Sequence, residues 1–122
     1  MRLGFWTNEI WAQSGAGFTH AEGVAFDTTL QQVPYTIQVI GTDYTLFASG
    51  SQILTGSLRN YALFGTPYNL PSFVFVGDDT SSARADVLLG SISISNVPEP
   101  GTWGMLVVGL LGLAAFRSTI RG

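Results

Sequence analysis

The sequence contains no cysteine and no lysine. Without cysteine there is no disulfide framework, no cysteine-ligated zinc, no iron–sulfur cluster and no thiol catalysis. Without lysine the cations are five arginines: Arg2, Arg59, Arg84, Arg117 and Arg121. Two of them fall at the very C-terminal end, so there is no basic stripe to neutralise phosphates, which argues against nucleic-acid binding. Charge of either sign is scarce, at 11% of residues, and the formal net charge is −3. Hydrophobic residues make up 46% of the chain. That excludes a disordered acidic tail, which would be rich in charge and poor in apolar side chains. At 122 residues the chain holds one domain at most. Histidine occurs once, as His20. A zinc site built on it would need carboxylates for the remaining ligands, a poor match to zinc's usual donors. No G-x-S-x-G elbow and no phosphate-cradling glycine loop is present, so serine-hydrolase chemistry and nucleotide binding lack their usual marks.

What is present divides in two. Residues 1–96 mix polar, aromatic and β-branched side chains between glycine turns. Residues 97–122 differ in composition. Pro98 and Pro100 flank Glu99, hold the backbone extended and cannot continue a strand ladder. Residues 101–116 are then uncharged throughout, and Arg117 and Arg121 close the chain. As a helix, 101–116 would be about 24 Å long, short for a ~30 Å hydrocarbon core. It could still insert by thinning the bilayer, with Trp103 at one interface and Arg117 and Arg121 snorkelling at the other. The positive-inside rule keeps those arginines cytoplasmic and directs residues 1–96 away from the cytoplasm. The alternative is a buried core helix. The run is apolar on every face and follows a proline break, which favours the membrane reading.

Pro98, Glu99 and Pro100, an apolar helix and a terminal arginine pair together resemble the PEP-CTERM sorting signal of Gram-negative bacteria. The resemblance implies export, a transient encounter with an exosortase at the inner membrane, processing near Pro98, Glu99 and Pro100, and delivery to the cell surface or extracellular matrix. Such proteins carry an N-terminal secretory signal. Residues 1–18 do not read as one, because Asn8, Glu9 and Gln13 interrupt any apolar run. The expectation is therefore a truncated N-terminus.

Strand patterns recur along residues 1–96. Candidates are 5–11, 20–28, 35–39 and 44–48, with a turn at Gly41, Thr42 and Asp43 forming a hairpin. A turn at Ser49, Gly50 and Ser51 leads into 52–58. Residues 73–76 form a continuous apolar run that suits a strand buried on both faces, and 86–89 and 91–95 follow. Residues 59–72 read as a loop, either pinned to the core by Tyr61, Phe64 and Tyr68 or presenting them as a rim for sugars. Frequent short strands predict an antiparallel sandwich or barrel. The words TLFASGSQILTGSLRNYALFGTPYNLPSFVFVGDDTSSARADVLLGSISI, with FWTNEIWAQ and FTHAEGVAFDTT upstream, resemble a concanavalin-A-like, laminin-G-like jelly roll. The expected architecture is an incomplete β-sandwich over 1–96 followed by one C-terminal hydrophobic helix. Its opening strands would be missing, leaving sheet edges and core face exposed.

Few residues read as chemistry. Glycoside hydrolysis needs two suitably spaced carboxylates. Glu22 and Asp27, five apart on one strand, point to opposite faces, although Glu9 could approach from another strand. His20 and Glu22 share a strand face and could pair. Asp78 and Asp79 sit in a Gly–Ser loop, where hard oxygens could take calcium or the side chains could simply form turns. Trp6 and Trp11, five apart, oppose each other across the sheet. Core packing suits both, and one could stack on a sugar ring. The expectation is a non-catalytic exported protein without cofactor. Its alternative is a carbohydrate-binding module that engages exopolysaccharide through Trp6, Trp11, Tyr61 or Tyr68. A degenerate glycan hydrolase relying on Glu22 is the third reading.

Overall fold

The structure is a computed structural model, and it describes residues 1–17, 19–72, 74–78 and 84–96. The chain separates into two compact units, Met1–Leu88 and Leu89–Gly122. The first unit is mainly β. Six strands run in chain order: β1 (Leu3–Phe5), β2 (Glu9–Gln13), β3 (His20–Ala25), β4 (Tyr35–Ile40), β5 (Asp43–Ala48) and β6 (Ser51–Ser57). They form two antiparallel three-stranded sheets, in the orders β1-β2-β3 and β4-β5-β6.

The second sheet follows the alternation in its sequence. Ile40 pairs with Asp43 and Ala48 with Ser51, so two residues make each turn. Ser49 (φ 49°) and Gly50 (φ 81°) are both left-handed, as the tightest hairpin loops require. In β5, Tyr44, Leu46 and Ala48 are buried, whereas Thr45 and Phe47 on the opposite face are partly open. The register skips Ile53 between the pairs Leu46–Leu54 and Phe47–Gln52, a bulge that bends β6.

The first sheet departs from its sequence reading. Residues 5–11 are not one strand. The chain turns at Trp6, Thr7 and Asn8, closed by the Trp6 amide donating to the Glu9 carbonyl at 2.8 Å. The turn is held from outside by the Phe26 amide on the Asn8 carbonyl (3.1 Å) and the Thr28 amide on the Thr7 carbonyl (3.2 Å). An apolar-rich window cannot reveal a turn held in part by hydrogen bonds from residues just past β3.

One core serves both sheets. Ile10 and Ala12 from β2 meet Tyr44, Leu46 and Leu54 from β5 and β6. Leu3, Val24, Phe26, Tyr35 and Ile53 pack around them. After β6 the loop expected at 59–72 contains a single 3₁₀ turn, Ala62–Phe64, opened by Asn60 Oδ1 accepting from the Ala62 amide at 2.8 Å.

The strands expected at 73–76, 86–89 and 91–95 do not form among the described residues. Phe73 lies outside them. Val74, Phe75 and Val76 are more than half exposed, as are Val87, Leu88 and Leu89. In the second unit the described residues 89–96 contain no helix or strand, and Ile92 and Ile94 are exposed. A strand needs a partner edge for its backbone groups, and a period-two pattern names no partner. No helix among the described residues is long and apolar enough to cross a membrane. The helix expected at 101–116 lies outside them.

Candidate functional site

Two side-chain clusters form on the first sheet, one facing the second sheet and one on the opposite face. The first centres on Glu22 of β3. Arg59, just past β6, donates from Nη1 to Glu22 Oε1 at 2.9 Å and from Nη2 to Oε2. The Tyr44 hydroxyl of β5 donates to Oε1 at 2.6 Å. The carboxylate is thus held by a two-pronged guanidinium and a phenol, linking the first sheet to the second. Gly56 makes room for it. A Cβ at this position would overlap the Glu22 carboxylate and crowd the Tyr44 ring, so a side chain at position 56 would displace the carboxylate.

The electrostatics follow from the geometry. Hydrogen bonding from Arg59, reinforced by Tyr44, holds the Glu22 carboxyl at about 2, against the opposing effect of burial. Burial first, and the neighbouring carboxylate second, push the Tyr44 phenol up. The hydrogen bond to Glu22 raises Arg59 further above its ordinary range. A general acid needs a proton at working pH. Glu22 is placed to keep its charge, which makes it an anchor between sheets.

The second cluster lies on the other face of the first sheet. Trp11 and His20 stack with ring centroids 3.7 Å apart and planes 6° apart. Trp6 meets both nearly perpendicularly, at 5.7 Å from Trp11 and 4.6 Å from His20. Glu9 Oε2 lies 3.5 Å from His20 Nδ1. Gly4 lies beneath Trp11, and a Cβ there would sit 2.4 Å from the indole.

This arrangement corrects two sequence expectations. His20 and Glu22 do not share a face. The register jumps from Trp11–Gly23 to Gln13–His20, which puts an extra β3 residue against β2. That bulge reverses the alternation, so His20 joins Trp11 while Glu22 turns to Tyr44. Trp6 and Trp11 do not oppose each other across one strand either. The turn at 6–8 folds Trp6 back over the face that carries Trp11.

The other candidates separate by exposure. Trp11 is 9% exposed and Tyr61 6%, whereas Trp6 is 53% exposed. Tyr61 donates its hydroxyl to the Gln13 carbonyl at 2.6 Å, tying the loop to β2. Tyr68 is half-buried and accepts from Arg2 Nη1 at 2.9 Å. Beneath this loop the Gln13 side chain is buried, and its amide has no hydrogen-bond partner. The loop is thus pinned, in part by its aromatics. Asp27, the other carboxylate considered with Glu22, accepts from the Thr29 hydroxyl and amide outside β3, which lowers its proton affinity. Asp78 is exposed, while Asp79 lies outside the described residues. Among the described residues no three His, Asp or Glu side chains gather as a metal site. Pro98, Glu99, Pro100, Trp103, Arg117 and Arg121 also lie outside the described residues.

Sequence reasoning missed Arg59 and Tyr44. Arg59 carries one faint signal, since in a chain without lysine it is the sole cation between Arg2 and Arg84. Nothing in the pattern of β5 distinguishes Tyr44 from any other core residue.

Comparison with known proteins adds one match. The family model described as the PEP-CTERM protein-sorting motif covers residues 96–118. No curated protein and no solved structure matches the chain. The motif indicates an exported protein sorted by an exosortase, with the signal itself as the membrane-anchored element.

Proposed function

We propose that the chain is a non-catalytic protein of the cell surface or extracellular matrix, its residues 1–96 forming part of a concanavalin-A-like β-sandwich and residues 97–122 its sorting signal. The match at residues 96–118 carries this reading. Residues 101–116 enter the inner membrane as a helix, Trp103 and Arg117 with Arg121 mark its two ends, and exosortase processing near Pro98, Glu99 and Pro100 releases the β-rich part. The saturated Glu22 cluster supports a structural role for the carboxylate that came nearest to a catalytic one. The test is mass spectrometry of the protein recovered from cells with and without their exosortase. The expected product ends near residue 100, is found at the surface or in the matrix, and retains residues 101–122 when the exosortase is deleted. A full-length polypeptide soluble in the cytosol would overturn the proposal.

A second reading is favoured by one observation. Trp6 is large, aromatic and more than half exposed beside the stacked Trp11 and His20 rings, which supports a module that engages exopolysaccharide.

A further inference from the structure

We propose that Trp6, Asn8 and Glu9 form a docking platform for one unit of a β-linked, gluco-configured polysaccharide. The proposal rests on the exopolysaccharide reading and gives it a site. It also moves that site away from Trp11 and Tyr61, which are buried, and from Tyr68, which Arg2 engages.

Trp6 is an exposed aromatic that is already immobilised. Its amide donates to the Glu9 carbonyl at 2.8 Å, and its carbonyl accepts from the Thr28 hydroxyl at 2.8 Å. Its ring is braced by Trp11 and His20, which stack on each other. A platform held in place before binding avoids most of the ordering cost of association. Held in this way, Trp6 still keeps 53% of its surface exposed.

Hydrogen-bonding groups lie beside it. Glu9 directs Oε2 to His20 Nδ1 at 3.5 Å, and its Oε1 lies over Gly23. Glu9 and Asn8 line a shallow depression completed by Gly23, Val24 and Ala25. An apolar plane near a carboxylate and a primary amide matches a pyranose ring. The axial C–H groups of a gluco-configured sugar cover the indole. Its equatorial hydroxyls donate to Glu9 and exchange hydrogen bonds with Asn8. Equatorial β-linkages keep successive rings flat, so one ring can lie on Trp6 while the chain continues in both directions. The Glu9 carboxylate and the net charge of −3 disfavour uronic-acid or phosphate-bearing chains.

The test is calorimetric titration of the full chain in detergent micelles with cellohexaose and chitohexaose, using isomaltohexaose as the α-linked control. At least one β-linked oligosaccharide is expected to bind, and the control is not. Trp6→Ala should weaken binding by about tenfold or more, Trp6→Tyr should restore most of it, and Glu9→Gln should weaken it about threefold. Tyr68→Ala should leave binding unchanged. Circular dichroism establishes that each variant is folded, and the Trp6→Tyr rescue separates stacking from damage to the sheet. Undiminished binding in a folded Trp6→Ala variant overturns the site and leaves the glycan reading intact. So does loss in Tyr68→Ala alone, which places the site on the loop. If neither β-linked hexaose binds, the proposal fails. A pull-down with the cells' own exopolysaccharide then decides the broader reading separately.

Discussion

The two sheets use the same topology and solve burial differently. The central strand of the second sheet, β5, buries one face and leaves the other partly solvated, where Thr45 and Thr55 sit side by side in register. The central strand of the first, β2, is buried from Ile10 through Gln13. Its inner face joins the shared core. Its outer face is covered by the aromatic cluster at one end and by the 59–72 loop at the other, where Tyr61 reaches the Gln13 carbonyl. An antiparallel sheet can leave one face to water, and a sheet covered on both faces depends on residues distant in sequence. The first sheet is therefore the more vulnerable to changes outside its own strands.

The sharpest way to break the comparison is through the shared core. Ile10→Ala in the first sheet and Leu46→Ala in the second should each cost about 2–5 kcal/mol, because both side chains are fully buried in one cluster. Urea unfolding followed by tryptophan fluorescence and by far-ultraviolet circular dichroism should give coincident transitions in both variants. Separate transitions would mean that the sheets are independent and the common core is wrong.

Next in size is the link between the sheets. Glu22→Gln should destabilise by about 1–2 kcal/mol at neutral pH, a value discounted for the solvent that reaches the pair. The pH dependence has a definite sign. The folded protein holds Glu22 at about 2 against an ordinary value of 4.5. Its contribution is present in full above the ordinary value and is lost as pH falls toward about 2, because the unfolded chain takes up the proton first. The stability difference between wild type and Glu22→Gln should therefore shrink between pH 5 and pH 2. A constant difference across that range would remove Arg59 as the cause.

Smaller still is the loop over the first sheet. Tyr61→Phe deletes the hydroxyl on the Gln13 carbonyl and should cost about 1 kcal/mol, together with faster amide exchange in the 59–72 loop. The smallest effect belongs to the open side of the second sheet. Ile37 is 47% exposed on β4, and Ile37→Thr should change stability by less than about 0.5 kcal/mol. A large loss there would show that something covers β4 in solution.

The same contrast explains which parts were legible in advance. The β4–β5–β6 meander was readable because period-two alternation and two short turns are local properties, and the turn residues Gly41, Ser49 and Gly50 announce themselves. The first sheet was half readable. His20–Ala25 has a strand pattern, but the bulge opposite Trp11 and Gln13 leaves no composition mark and reverses the facing of His20. For that reason the expected His20–Glu22 pair gives way to His20–Glu9 and Glu22–Arg59. The strand expected at 73–76 does not form over the described residues 74–76, because apolar content alone cannot supply a neighbouring strand.

The sequence by itself determined the class of the protein: strand-rich, without thiol or basic-surface chemistry, and ending in a signal whose proline break, apolar run and terminal arginines are contiguous and need no folding to be recognised. Only the tertiary structure decided which side chains meet. Glu22 finds Arg59 across 37 positions, and Trp6 stays in water while Trp11 does not. The reason is physical. Composition and local pattern act along the chain, whereas register, bulges and loop cover arise from hydrogen bonds between segments that the chain brings together only when it folds.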